Sequence, residues 1–197
     1  MKSLLSDCKA AVLLTLVLVL LCCGAYPVAV WAGARVLFPR QAGGSLIVDS
    51  SGSVRGSTLI GQNFTEARYF HPRPSAAGNG YDAANSGGTN YGPTSAKLAA
   101  QVRDLAAAYR TANGLKSAEP IPADAVTASA SGLDPQISVA NARAQAARVA
   151  QARGRTLAAV QALIEKHTIG RDFGVLGEPG VNVLLLNLDL DQTAAGP

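Results

Sequence analysis

The run Ala10-Ala-Val-Leu-Leu-Thr-Leu-Val-Leu-Val-Leu-Leu21 decides the architecture of this 197-residue chain. No charged residue lies between Lys9 and Arg35, a gap of about 25 residues, or roughly 37 Å as helix. A hydrocarbon core is about 30 Å thick, so residues 10–34 are predicted to form one transmembrane helix. Tyr26 and Trp31 sit near its C-terminal end, where amphipathic aromatics settle at the lipid–water boundary. A kink or an end of the regular helix is expected at Pro27. The competing reading is a cleaved signal peptide with Ala32-Gly-Ala34 as its cleavage site. The apolar run exceeds the roughly 7–15 residues of a signal core, which favours a retained anchor. A lipoprotein site at Cys22 or Cys23 is disfavoured by Leu21 and Cys22 as preceding residues.

The flanks leave orientation open. Lys2 and Lys9 precede the run and Arg35 and Arg40 follow it, so positive charge is nearly tied. All three cysteines (Cys8, Cys22, Cys23) fall in or before the membrane segment. The remaining domain therefore has no disulfide and must hold itself together by burial. A net charge of +4, spread along the chain, points to no polyanion and thus to no nucleic-acid partner.

Outward from the anchor, the sequence divides into a short N-terminus (1–9), the membrane helix (10–34), a linker (35–44) and a polar domain (45–197). Ser45–Asp49 and Val54–Ile60 read as two short strands around the turn Ser50-Ser-Gly-Ser53. Residues 64–93 are dense in Gly, Pro, Asn and Ser, a loop longer than a compact domain usually carries without a functional reason. Three helices are predicted, at about 95–110, 138–153 and 156–166, from apolar residues at helical spacing and caps such as Ser138. The apolar stretch Val181–Leu190, with polar residues mostly at alternate positions, predicts a strand with one buried face that pairs with the early hairpin. The expected fold is an α+β soluble domain tethered by one N-terminal transmembrane helix.

Candidate chemistry is sparse. There is no G-x-x-x-x-G-K-[ST], and Ser86-Gly-Gly-Thr-Asn90 is better read as a turn-rich loop than as an anion cradle. With two histidines (His71, His167) and no cysteine outside the membrane segment, a zinc site is not expected. A Ser/His/Asp set can be drawn from Ser75 or Ser131, His71 and Asp134. No nucleophile elbow accompanies it, and a triad is identified by geometry. Arginines 143, 148 and 153 step around a helix by about 140° each, so a solvated helix surface is expected. His71-Pro-Arg-Pro-Ser75 stiffens the backbone around Arg73 and suits a docking surface, with a proline-rich surface loop as the alternative. In Thr127–Ser138, Asp134-Pro135 favours a turn, Ser138 caps the next helix, and Gly132 allows close backbone approach. The hydroxyls of Ser129 and Ser131 are expected to satisfy backbone groups.

Taken in order, Leu59–Phe64, Tyr69–Ala76, Ser86–Asn90, Val126–Ser138, Arg148–Arg153 and Val181–Asp191 behind one anchor resemble the C subunit of the bacterial Kdp potassium-transporting P-type ATPase. Gln136 departs from that family, which often carries a histidine there, and this disfavours acid–base chemistry in the loop. The resemblance implies a subunit without a catalytic centre in a high-affinity potassium uptake pump of the inner membrane. Its N-terminus would be cytoplasmic and its domain extracytoplasmic. Implied partners are a channel-like ion-translocating subunit, an ATP-hydrolysing subunit and a small accessory membrane subunit, besides the lipid bilayer. ATP and K+ would be used by the complex, with no cofactor held by this subunit. The family is also described as raising the pump's affinity for ATP, which for an external domain must be indirect. Candidate partner-contact or structural residues are His71, Arg73, Ser75, Ser86, Gly87, Gly88, Asn90, Ser129, Ser131, Gly132, Asp134 and Gln136. A free-standing anchored hydrolase and an anchored ligand-binding module are the alternatives.

Overall fold

The computed structural model describes residues 2–193. Residues 194–197, which the predicted polar domain includes, lie outside the described residues, as does Met1. The chain forms two compact units that divide between Ile47 and Val48.

In the first unit, helix α1 (Lys2–Val19) runs through a π-helical turn at Leu20–Ala25 into α2 (Tyr26–Leu37), followed by the short α3 (Pro39–Ala42). Ser3–Leu37 is long and apolar enough to cross a membrane, and its large apolar side chains are exposed. Pro27 does not end the helix. A proline has no N–H for the carbonyl four residues back, here Cys23, and its ring crowds that carbonyl. The π turn immediately before it absorbs both, with Tyr26 N–H reaching back to Leu21 O. Tyr26 and Trp31 are exposed on α2, and the Arg35 guanidinium lies 6.0 Å from the Trp31 ring centre.

Strands β1 (Leu46–Val48) and β2 (Val54–Ser57) form a two-stranded ribbon. Asp49 builds its turn by accepting from the N–H groups of Ser51 and Ser53, each at 2.9 Å. The second unit is built around α4 (Ala96–Asn113), β3 (Gln136–Ser138), α5 (Val139–Ala152), α6 (Leu157–Lys166), β4 (Thr168–Ile169), β5 (Gly180–Asn182) and α7 (Val183–Thr193). Side-chain hydroxyls cap three of the helices: Ser95 accepts from Leu98 N–H, Ser138 from Asn141 N–H and Thr156 from Ala159 N–H. The sheet is antiparallel in the order β3-β5-β4, with Ile137 opposite Val181 and Thr168 also opposite Val181. Ile137, Val181, Leu186 and Leu190 meet the α5 face Ala142, Ala146 and Val149 and the α6 face Val160 and Ile164 in one core.

Two expectations need correction. Val181–Leu190 is not one strand, because β5 stops at Asn182. Asn182 Oδ1 then accepts from Leu185 N–H at 3.1 Å and opens α7. Burial along α7 falls on Val183, Leu184, Leu186, Asn187 and Leu190, a helical spacing. Leucine, unlike valine, loses little rotamer freedom in a helix, so the run can leave the sheet without cost. Nor does β5 pair with the early hairpin; its neighbours are β3 and β4.

Helices α6 and α7 are joined by Asp189, which lies 2.7 Å from Lys166 Nζ and 2.8 Å from His167 Nε2. Lys166 first, then His167, holds its carboxyl below the usual value. The folded chain therefore binds fewer protons here than the unfolded chain. The resulting stability is fully present above the ordinary aspartate value and is lost as pH falls from there through the lowered folded-state value. Urea midpoints measured from about pH 5 to pH 3 should fall, and Asp189→Asn should fall less steeply. Parallel curves for the two proteins would remove Asp189 from the account.

Candidate functional site

The site begins with how the long loop is held. Phe70 is fully buried in the core, so residues 64–93 are no mere surface excursion. Two carboxamides grip consecutive peptide units. Asn187 of α7 accepts from Phe70 N–H at 2.9 Å and donates to Phe70 O at 3.0 Å. Gln145 of α5 accepts from His71 N–H at 2.7 Å and donates to His71 O at 3.0 Å. Arg148 donates to Ala67 O, Tyr69 O and the Asn113 side chain, while Arg153 donates to Arg68 O, Leu190 O and Asp191. These two arginines are not on a solvated face as the helical stepping suggests; they pin the loop. Their carbonyl partners lie far away in sequence, so nothing local announces them.

From this grip Pro72 and Pro74 fix the chain direction, and Arg73 and Ser75 meet the second loop. Arg73 Nη1 lies 2.8 Å from Asp134 Oδ2, and Nη2 reaches Thr127 O and Ala128 O at 3.4 Å. Ser75 Oγ donates to Gly132 O at 2.6 Å and accepts from Tyr81 N–H at 2.8 Å. The Tyr81 hydroxyl donates to Arg73 O. Burial first, then the Asp134 charge, pushes that phenol up, so it stays a donor. Ser86 Oγ and Gly87 N–H both donate to Ser131 O, at 2.9 and 3.0 Å. Ser131 Oγ accepts from Leu133 N–H and lies 3.4 Å from Ser129 Oγ. Asp134 Oδ1 accepts from Gln136 N–H. Gly88 passes so near Ala130 that a Cβ on it would stand 3.0 Å from Ala130 O. Asn90, at φ 54°, lies exposed and has no hydrogen bond to this cluster among the described residues.

The loop leads into α5 through a carboxylate that sequence reading missed. Asp124 accepts from the N–H and Oγ of Ser138, both at 2.8 Å, and from Asn141 Nδ2 at 2.9 Å. Asn141 in turn accepts from the Tyr109 hydroxyl at 2.7 Å and from Gln145 at 2.8 Å. The one available signal was polar residues at 141 and 145 on a helix face otherwise made of Ala142, Ala146 and Val149.

His71 is placed away from the serines. Its ring contacts Glu66 O at 3.1 Å and Arg148 at 3.4 Å. Burial, then the Arg148 charge, pushes the imidazole below the usual histidine value, so it is neutral at pH 7. Among the described residues no hydrogen bond joins it to Ser75, Ser131 or Asp134, so that triad is not assembled. No cluster of three or more His, Cys, Asp or Glu side chains suited to a metal is present among the described residues. Leu59, Ile60, Arg73, Ser129, Ser131 and Asp134 line a groove of about 680 Å³. His71, Arg73, Ser75 and Tyr81 also line a cleft of about 490 Å³ with Tyr109 and Asn113.

A family model described as the C chain of K+-transporting ATPase matches residues 8–192. The potassium-transporting ATPase KdpC subunit of Mycobacterium tuberculosis is 55% identical over 167 residues, 85% of this chain and 88% of that one. Its counterpart in Koribacter versatilis is 51% identical over 188 residues, and that in Nitratidesulfovibrio vulgaris 53% over 190, each covering 95% of both chains.

Proposed function

This chain belongs to the C-chain family of K+-transporting ATPases, and on that premise we propose that it is the assembly subunit of a potassium uptake pump. It is a membrane-anchored subunit whose helix and domain hold a channel-like subunit and an ATP-hydrolysing subunit together, beside a small accessory membrane subunit. Its N-terminus lies in the cytoplasm and its domain outside the inner membrane. It has no catalytic centre and binds neither ATP nor K+ itself; any rise in the pump's ATP affinity comes from contacts that differ between two states of the pump.

The observation that carries this reading is where the polar side chains of the two loops spend their hydrogen bonds. Ser75, Ser86 and Ser131 satisfy backbone groups of the same chain, and Arg73 closes on Asp134. Such an arrangement stiffens a surface; it leaves no activated nucleophile. The test is a detergent pull-down of the whole pump through a tag on this chain, followed by assay of potassium-stimulated ATPase. Two large membrane partners and stimulated activity are expected with the chain present, and separated, inactive partners without it. Intact potassium uptake after deletion of the chain would overturn the proposal. Photo-crosslinking of ATP to this subunit within the working pump would overturn its nucleotide-free part.

A further inference from the structure

The tip of the β4–β5 hairpin breaks two rules at once. Phe173 is 93% exposed, with Val175 at 71% and Leu176 at 58% beside it. Phe173 and Gly174 both have positive φ, 52° and 77°, and Val175 N–H donates to Asp172 O at 3.2 Å. Phe173 thus stands in the left-handed region at the tip of a three-residue loop between Asp172 and Leu176, a position that favours asparagine, aspartate or glycine because a bulky side chain is strained there. The strain is held in place. Asp172 and Leu176 exchange backbone hydrogen bonds at 2.9 Å in both directions, and Arg171 closes the base on both Glu178 oxygens, at 2.9 and 2.8 Å. Neither solvation nor turn propensity explains a phenylalanine at this point. Local rules are broken in this manner where a site serves something else.

We propose that this hairpin tip is a docking prong that seats Phe173 in an apolar socket on a partner subunit of the pump, with a basic residue at the socket's rim. The inference rests on the assembly reading above. Charge selects the occupant. Arg171 is taken by Glu178, and the Asp172 carboxylate has no ion-pair partner among the described residues. The tip therefore offers apolar surface with one uncompensated negative charge, the complement of an apolar protein socket with a basic rim. A protruding aromatic on a pre-formed turn also loses little entropy on binding, as interface anchors do.

The test uses the whole pump, purified through a tag on this chain. Phe173→Asn suits the turn better than the native residue, so the domain should fold as before. Dissociation of the partner subunits should be faster by roughly tenfold or more, as for loss of an aromatic anchor. A photoreactive phenylalanine analogue at position 173 should crosslink to one identified large subunit. Unchanged dissociation of Phe173→Asn, while the unaltered chain still retains its partners, would overturn the prong and leave the assembly role standing. An adduct only with lipid, or only with a second copy of this chain, would overturn it as well. Failure of the unaltered chain to hold any partner would instead bring down the assembly reading, and the prong with it.

Discussion

Replacing Gln145 with leucine is expected to destabilise the domain by about 3–5 kcal/mol, a large part of the roughly 5–15 kcal/mol that an ordinary domain has. Leucine matches the volume, so packing is not the cause. Gln145 is 1% exposed and joins four groups at once: His71 N–H, His71 O, Asn141 Oδ1 and Arg148 Nη2. Asn141 keeps its bond from Tyr109 and Arg148 keeps its carbonyl partners. The two groups on the His71 backbone keep nothing. An unpaired buried peptide group costs about 1–3 kcal/mol; His71 is half-buried, so two such groups at the middle of that span, with a weakened Arg148, give the stated range. Gln151→Leu, on the exposed side of the same helix, should stay within about 0.5 kcal/mol. Urea unfolding of the full-length chain in detergent, followed by far-ultraviolet circular dichroism, reads both. A Gln145→Leu midpoint equal to that of Gln151→Leu would show that the carboxamide clamp carries no stability.

The clamp also marks the limit of what the sequence discloses. Helix caps are local, and Ser138 announced its helix because a hydroxyl needs only the next turn to find a partner. Ser95 and Thr156 cap α4 and α6 in the same way, although apolar spacing is what announced those helices. The anchor announced itself by the absence of charge over a span that no soluble helix needs. The roles of Ser131 and Gly132 were legible in part, since small residues and hydroxyls around Asp134-Pro135 imply turns, whereas the bond from Ser75 to Gly132 O was not, its partner lying 57 positions away. Gln145 and Arg148 were not legible, because their partners lie 74 to 81 positions away and no spacing rule reaches that far. Val181–Leu190 misled for a different reason. A run of leucines is compatible with a buried strand or a buried helix, and only Asn182, read as a cap, separates β5 from α7.

Gly132→Ala is expected to be the most damaging single methyl in the two-loop cluster, at about 3 kcal/mol or more, and Gly114→Ala shows why. The two glycines have nearly the same left-handed conformation, φ 67° and φ 64°. An alanine at either position meets the same intrinsic penalty, about 1 kcal/mol. At Gly114, the C-terminal stop of α4, a Cβ meets nothing within 4 Å, so that penalty is the whole cost. At Gly132 the Cβ would stand 2.6 Å from Ala77 N, 2.7 Å from Gly87 O and 2.9 Å from Ala77 Cβ. The first two are backbone atoms, and no rotamer change can move them. Two chain segments must separate instead. Three contacts would be strained together: Ser75 to Gly132 O, Ser86 to Ser131 O and Gly87 to Ser131 O. The difference between the two variants in urea midpoint therefore isolates the close approach from the backbone conformation. It should be about 2 kcal/mol or more, with Gly132→Ala the weaker protein. If the loops form part of a subunit contact, Gly132→Ala should also release the pump's partner subunits under conditions where Gly114→Ala retains them. Equal midpoints would mean that the loops part freely, and a surface that parts freely cannot be the rigid face that assembly requires.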